Sequence, residues 1–354
     1  MSLLDATIAK IAPLNSVRVE EARSRLENLA MPHWSLGMLM DTALDLAGIT
    51  DSLKPALQRK VIAILVGDHG VAAEGVSKFP REVTAQTVHN IVQGGAVVCA
   101  LARRTGARLV VVDMGVAANL DDLAEEGRII SKSCGKGTAN MLLGPAMDRA
   151  TAQRSVEAGI ELALELGAQA DLLGIGDMGI GSTTSSAAVI ATLTGHPVSE
   201  IAGRGTGMDD KQLRHKIQIL ERSLQVNSPN GGDPLDTLAK VGGFELGGIA
   251  GFILGAAALR KPVVFDSFVT TAGALLAHKF CELSVQYLIS AHQSLEKGHH
   301  LALKFLGKDP LLRINSHLGM GSGCVLALGL IDSAACLLSE VATFEEANIH
   351  RAKA

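Results

Sequence analysis

The chain has 354 residues, 47% of them hydrophobic and 19% charged, which suits a large α/β domain with an appendage, or two domains, and excludes disorder. With 36 acidic against 32 basic residues and a net charge of −4, it lacks the basic surface that neutralises nucleic-acid phosphates. Aromatics at 3% are too few to stack single-stranded bases.

The first 60 residues read as helical. Residues 17–30 are charged and amphipathic, and 36–47 carry Leu36, Leu39, Met40, Leu44 and Ala47 at helical spacing. From residue 61 the pattern changes to short apolar runs rich in Val, Ile and Leu without alternation, at 61–66, 109–112, 172–175, 262–265 and 287–289, as expected of parallel strands covered on both faces. Helix-length segments separate them, at 83–105, 151–166, 211–224 and 272–281, so a doubly wound, Rossmann-like parallel sheet is the expected core. Residues 241–259 are apolar but hold Glu245 and several glycines, which favours a buried helix over a membrane span. Gly247, Gly251 and Gly255 fall four apart on one face of it, where another element packs closely. The last stretch, 323–350, is expected to be helical and to pack on the N-terminal helices. Five cysteines without a C-x-x-C pair and an opening without a basic stretch ahead of an apolar core predict a cytoplasmic protein with reduced thiols.

Each strand run leads into small and polar residues: Asp68-His69-Gly70, Asp113-Met114-Gly115, the 176–184 stretch, Asp266-Ser267, and Ser290 to Ser294. Ligands of open parallel sheets bind at that edge. One such end makes only a turn, but five together point to a site. The 176–184 stretch reads Gly-Asp-Met-Gly-Ile-Gly-Ser-Thr-Thr, which places backbone N–H groups and hydroxyls at a helix N-terminus, an anion site; without Gly-Lys-Ser/Thr it is not a P-loop. A second glycine loop, 203–207, precedes a helix with Lys211, Arg214 and Lys216. A metal reading gathers Asp68, His69, Asp113, Asp177, Asp266 and His292, but no H-x-H or H-E-x-x-H pairing supports it.

The ordered set of motifs resembles the nicotinate-nucleotide:dimethylbenzimidazole phosphoribosyltransferase family from about residue 20 onward. Carrying the resemblance are Ser35-Leu36-Gly37, Asp68-His69-Gly70-Val71, Glu74-Gly75-Val76, Val83-Thr84-Ala85-Gln86, Gly144-Pro145-Ala146-Met147, the 176–184 loop, Val241-Gly242-Gly243-Phe244-Glu245, Ser294-Leu295-Glu296-Lys297-Gly298, and 318–323. It implies transfer of ribose 5-phosphate from nicotinate mononucleotide to an aromatic lower-ligand base of a cobamide, without metal or organic cofactor. It also implies a dimer, with a large α/β phosphoribosyltransferase domain (61–323) and a small helical domain from both chain ends (1–60 plus 324–354). By the same resemblance, Gly176, Gly181, Ser182, Thr183, Gly205 and Lys216 bind the phosphate region, Asp177 and Ser294 the ribose, and Phe79, Gln86, Leu318 and Met320 the acceptor.

Four departures from the family pattern stand out. Met320 replaces the glutamate proposed as base, and a thioether takes no proton at neutral pH. Asp177 shortens an acidic residue by one methylene, Ser267 replaces a glycine, and His33-Trp34 replace Pro-Gly. The leading expectation is a weakened subunit of a heterodimer with a homologous, glutamate-bearing chain. The alternatives are a self-sufficient transferase using Asp177, His317 or Glu296 as base on a benzimidazole or phenol, and a fold reused for binding or metal-dependent hydrolysis.

Overall fold

A computed structural model describes residues 1–350; positions 351–354 of the expected helical domain lie outside them. Six strands, β1 (Lys60–Gly67), β2 (Arg108–Gly115), β3 (Ile130–Ser131), β4 (Leu172–Met178), β5 (Val263–Phe265) and β6 (Leu288–Ser290), form one sheet in the order β3-β2-β1-β4-β5-β6. Every pairing is parallel. The order reverses between β1 and β4, where sheets of this kind open a crevice at the carboxyl ends of the strands.

All five apolar runs are strands, with shifted ends. β4 extends through Asp177 and Met178, so the carboxylate sits on the strand rather than in the loop after it. Tyr287 closes a 3-10 turn instead of opening β6, and its hydroxyl donates to the Ala12 carbonyl at 2.7 Å. β3 is an addition to the expected set: two residues carry no periodicity. The expected 83–105 helix is two, Val83–Val92 and Val97–Thr105, because Gly94 turns through φ +79° and restarts the chain in a new direction. The 272–281 helix begins earlier, at Phe268, where Ser267 caps it by accepting from the Thr270 N–H at 3.0 Å. The C-terminal helix, Ser322–Ser339, ends before 350. Beyond it the chain ties back to the N-terminal segment through Ala30 N–H to Ala342 and Phe344 N–H to Asn28.

Both faces of the sheet are covered. Helices Ser16–Glu27, Met38–Thr50 and Ser322–Ser339 bury Leu26, Met40, Leu46, Leu328 and Ile331 together with Ile62, Ile64 and Val66 of β1. Ser322–Ser339 has the length and composition of a membrane span, yet in this structure it is a core helix. On the other face Arg149–Gly167, Ser182–Thr194, Phe244–Ala258 and Phe268–Phe280 pack on Ala63, Leu65, Ile175 and Phe265. The glycine stripe of Phe244–Ala258 lies against Arg149–Gly167. A Cβ on Gly251 would stand 1.8 Å from the Val156 carbonyl oxygen, and one on Gly247 2.0 Å from the Ser155 Oγ, so the two backbones touch where no side chain fits. This rigid sandwich holds the ends of β4, β5 and β6 side by side.

Candidate active site

A cavity of about 290 Å³ opens at those strand ends, beside the switch point. Its floor is Asp177 to Thr183, one wall is Ser267 to Val269, another is Ser294, Glu296 and His317 to Met320, and the last is Val76, Ser77, Phe79, Val83 and Thr87 with Gly205, Thr206 and Met208. The polar floor and the apolar wall of Val76, Phe79, Val83 and Met320 give it an anion end and an aromatic-ring end.

The anion end is the first turn of Ser182–Thr194. Gly181 is its N-cap at φ +97°, a conformation that costs a side chain dearly. The turn carries the positive end of the helix dipole, although the Ser182 N–H already donates to the Gly179 carbonyl at 3.1 Å and the Thr184 N–H to that of Gly181 at 2.9 Å. Lys216, fully buried, donates from Nζ to Thr183 Oγ1 at 2.9 Å. Burial lowers its ammonium to about 8 despite the opposing charge of Glu296, so an arriving phosphate favours its charged form.

Asp177 lies at the centre of the floor. Burial raises its carboxyl to about 7; the hydrogen bond that Ser267 Oγ donates to Oδ1 at 2.7 Å pulls it down, Glu245 pushes it up, and His69 pulls it down. Behind it Asp266, raised to about 8 by burial and by Asp177, accepts from the Gly323 N–H at 2.8 Å. Ser294 is held by His299: Nδ1 accepts the Ser294 N–H at 2.8 Å and Nε2 lies 2.9 Å from Thr271 Oγ1. Burial drives this imidazole down to about 3, keeping it neutral with a fixed tautomer.

The cavity walls bring together Asp177, Gly181, Ser182, Thr183, Gly205, Ser294, Phe79, Leu318 and Met320. Gly176 is behind them, pressed on the Met320–Gly321 backbone, where a Cβ would stand 2.2 Å from the Gly321 N. Lys216 is not in the lining but sits behind it, its Nζ hydrogen-bonded to Thr183 Oγ1 and 3.9 Å from where a Cβ on Gly205 would stand. Gln86 is exposed and off the wall, which is formed by Val83 and Thr87, one helical turn apart. Asp177, Ser267 and Met320, three of the departures from the family pattern, share the cavity, and Gly319 bridges them: a Cβ there would lie 3.4 Å from Asp177 Oδ1 and 3.6 Å from Ser267 Cβ. Met320 itself sits at φ +59° between two glycines.

The metal set does not converge. Asp113 accepts from the N–H groups of Gly115 and Val116, both at 2.8 Å, and simply shapes a turn. Among the described residues no three His, Cys, Asp or Glu side chains are arranged to hold an ion. Sequence reading placed Ser267 at a strand end without a role of its own, and missed Thr87 and the buried pairing of His69 with Glu245 at 2.9 Å. A single carboxylate opening an otherwise apolar helix was the signal for the last.

A parallel-sheet transferase with an anion loop at the switch point is the class these features define, and a phosphoribosyltransferase family model matches residues 11–349. The nicotinate-nucleotide–dimethylbenzimidazole phosphoribosyltransferase of Syntrophotalea carbinolica is 53% identical over 353 residues, covering 100% of both chains. That of Desulfotalea psychrophila is 52% identical over 98% of each. A crystal structure of the enzyme so named from Thermus thermophilus superposes with a TM-score of 0.90 at 40% identity, over 96% of this chain and 100% of that one. The chain belongs to the nicotinate-nucleotide–dimethylbenzimidazole phosphoribosyltransferase family.

Proposed function

We propose that the chain transfers ribose 5-phosphate from nicotinate mononucleotide to dimethylbenzimidazole or a related aromatic base, acting by itself, with Asp177 as proton acceptor in place of the glutamate that Met320 supplants. The observation that carries this is Asp177, a carboxylate lining the cavity floor and titrating near 7, where a general base works best at neutral pH. The phosphate docks on the Gly181–Thr183 turn with Lys216 behind it, and Ser294 steadies the ribose. The acceptor ring lies between Phe79, Leu318 and Met320. Its nitrogen attacks the anomeric carbon as the bond to the nicotinate nitrogen breaks. The electron pair leaves with nicotinate, whose ring loses its positive charge, and the acceptor's N–H proton passes to Asp177. Aligning the two rings across the sugar supplies much of the acceleration.

A second reading rests on Met320: with no carboxylate at that position, the chain is the weaker half of a heterodimer with a glutamate-bearing homologue. Assay of the purified chain with nicotinate mononucleotide and dimethylbenzimidazole, with and without such a homologue, separates the two. Turnover by the chain alone favours the first; turnover only in the mixture favours the second. We further assign residues 1–60 and, of the described residues, 324–350 to a helical domain on the 61–323 core, and infer a dimeric state and a cytoplasmic location, consistent with five free cysteines.

A further inference from the structure

Under the cavity floor, outside its lining, His69 at the end of β1 meets Glu245 at the start of Phe244–Ala258. Nε2 and Oε1 are 2.9 Å apart, and the two side chains are 1% and 0% exposed. A pair this deep is poorly explained by stability, since desolvating two charges costs several kcal/mol and apolar replacement is often as stable. The backbone is nevertheless shaped around it. A Cβ on Gly243 would lie 2.4 Å from His69 Cε1 and 2.5 Å from Glu245 Oε2; one on Gly67 would lie 2.9 Å from Oε2, and one on Gly181 3.0 Å from His69 Cβ. Gly179 and Gly181 line the cavity on their other side. The pair therefore lies against the underside of the turn that runs from Asp177 to the phosphate loop.

We propose that the His69–Glu245 pair is a positioning unit for the transfer, bracing that turn from below and supplying the charges against which Asp177 takes the acceptor's proton. This rests on the assignment of Asp177 as proton acceptor. The groups that face Asp177 are Glu245 from its helix, His69 from the end of β1, Asp266 and Ser267 from the end of β5, and, around the cavity, Glu296 and His317. Burial opposes the charge on His69, but Glu245, Asp68 and Asp177 outweigh it and hold the imidazole protonated above its ordinary range. Glu245 raises the proton affinity of Asp177 and His69 lowers it, Glu245 having the larger effect.

The test is the pH profile of kcat/KM with nicotinate mononucleotide and dimethylbenzimidazole for the full chain, in which the acceptor's own titration is common to all variants. In His69→Gln the charge of Glu245 is left unopposed, so the acid limb moves up by about one pH unit. In His69→Gln/Glu245→Gln both charges are gone, and because Glu245 has the larger effect the limb falls below the wild-type position. A uniform loss of rate with the limb fixed in both variants overturns the proposal and leaves a merely structural pair. Should His69→Gln not fold, the double variant decides: a limb below the wild type supports the proposal, and an unmoved limb overturns it. Asp177→Asn separates this from the reading beneath it. A limb that survives there overturns both, whereas a limb lost there yet unmoved in His69→Gln overturns only the role of the pair.

Discussion

Replacing Ser267 by alanine removes one hydrogen bond from the carboxylate assigned as base. The hydroxyl donates to Asp177 Oδ1 at 2.7 Å in a buried setting, a charge-assisted contact of about 1.5–3 kcal/mol. That equals about one to two pH units. The sign follows from what the bond favours: it stabilises the ionised form, so its loss raises Asp177 above its value of about 7. At pH 7 about half of the wild-type carboxylates are ionised, against about one in ten to one in a hundred in the variant. The expected loss in kcat/KM at pH 7 is therefore about 5- to 50-fold, recovering by pH 9 to 10. Ser267 also caps Phe268–Phe280, so a stability loss of about 1 kcal/mol is expected and is read separately by thermal unfolding. A rate deficit that is the same at every pH, or an unchanged profile, refutes the reasoning.

Lys216→Met keeps the buried volume but removes the cation behind Thr183; KM for nicotinate mononucleotide should rise about 10- to 100-fold, and an unchanged KM contradicts the phosphate assignment. Gly251→Ala forces a methyl 1.8 Å from the Val156 carbonyl oxygen and should cost at least about 1–3 kcal/mol in denaturant unfolding. Gly329→Ala, in the last helix with nothing within 4 Å of the new Cβ, should instead gain about 0.5–1 kcal/mol; similar values for the two would refute the packing account. Asp266, raised from 3.8 to about 8, favours the fold most when protonated, and that contribution fades as pH climbs from about 4 through about 8. The Tm of wild type relative to Asp266→Asn should fall between pH 5 and pH 9, and a difference constant with pH would contradict the burial argument.

The sheet was legible because its central strands are short apolar runs rich in Val, Ile and Leu, as in 61–66, the pattern of parallel strands covered on both faces, each followed by a helix-length segment. β3 escaped because two residues carry no period, and the break at Gly94 escaped because apolar spacing continues across it. Most of the cavity floor followed from reading what comes after each strand. What did not follow was set by rotation and by distance along the chain. Gln86 and Thr87 differ by one position, and about 100° of helical turn decides which of them meets the ligand. His69 and Glu245 belong to separate motifs that become partners only when β1 and the Phe244–Ala258 helix are laid together. Met320 and Ser267 looked like independent changes until the strand ends placed them around one carboxylate.

Transfer from nicotinate mononucleotide to dimethylbenzimidazole by three purified chains at pH 7 weighs the role of Asp177 most directly. Wild type should turn over without any companion chain, Asp177→Asn should be slower by about 100-fold or more, and Asp177→Asn/Met320→Glu should recover much of the loss by placing a carboxylate on the facing wall. Wild type inert until a glutamate-bearing homologue is added, or Asp177→Asn as fast as wild type, would contradict it.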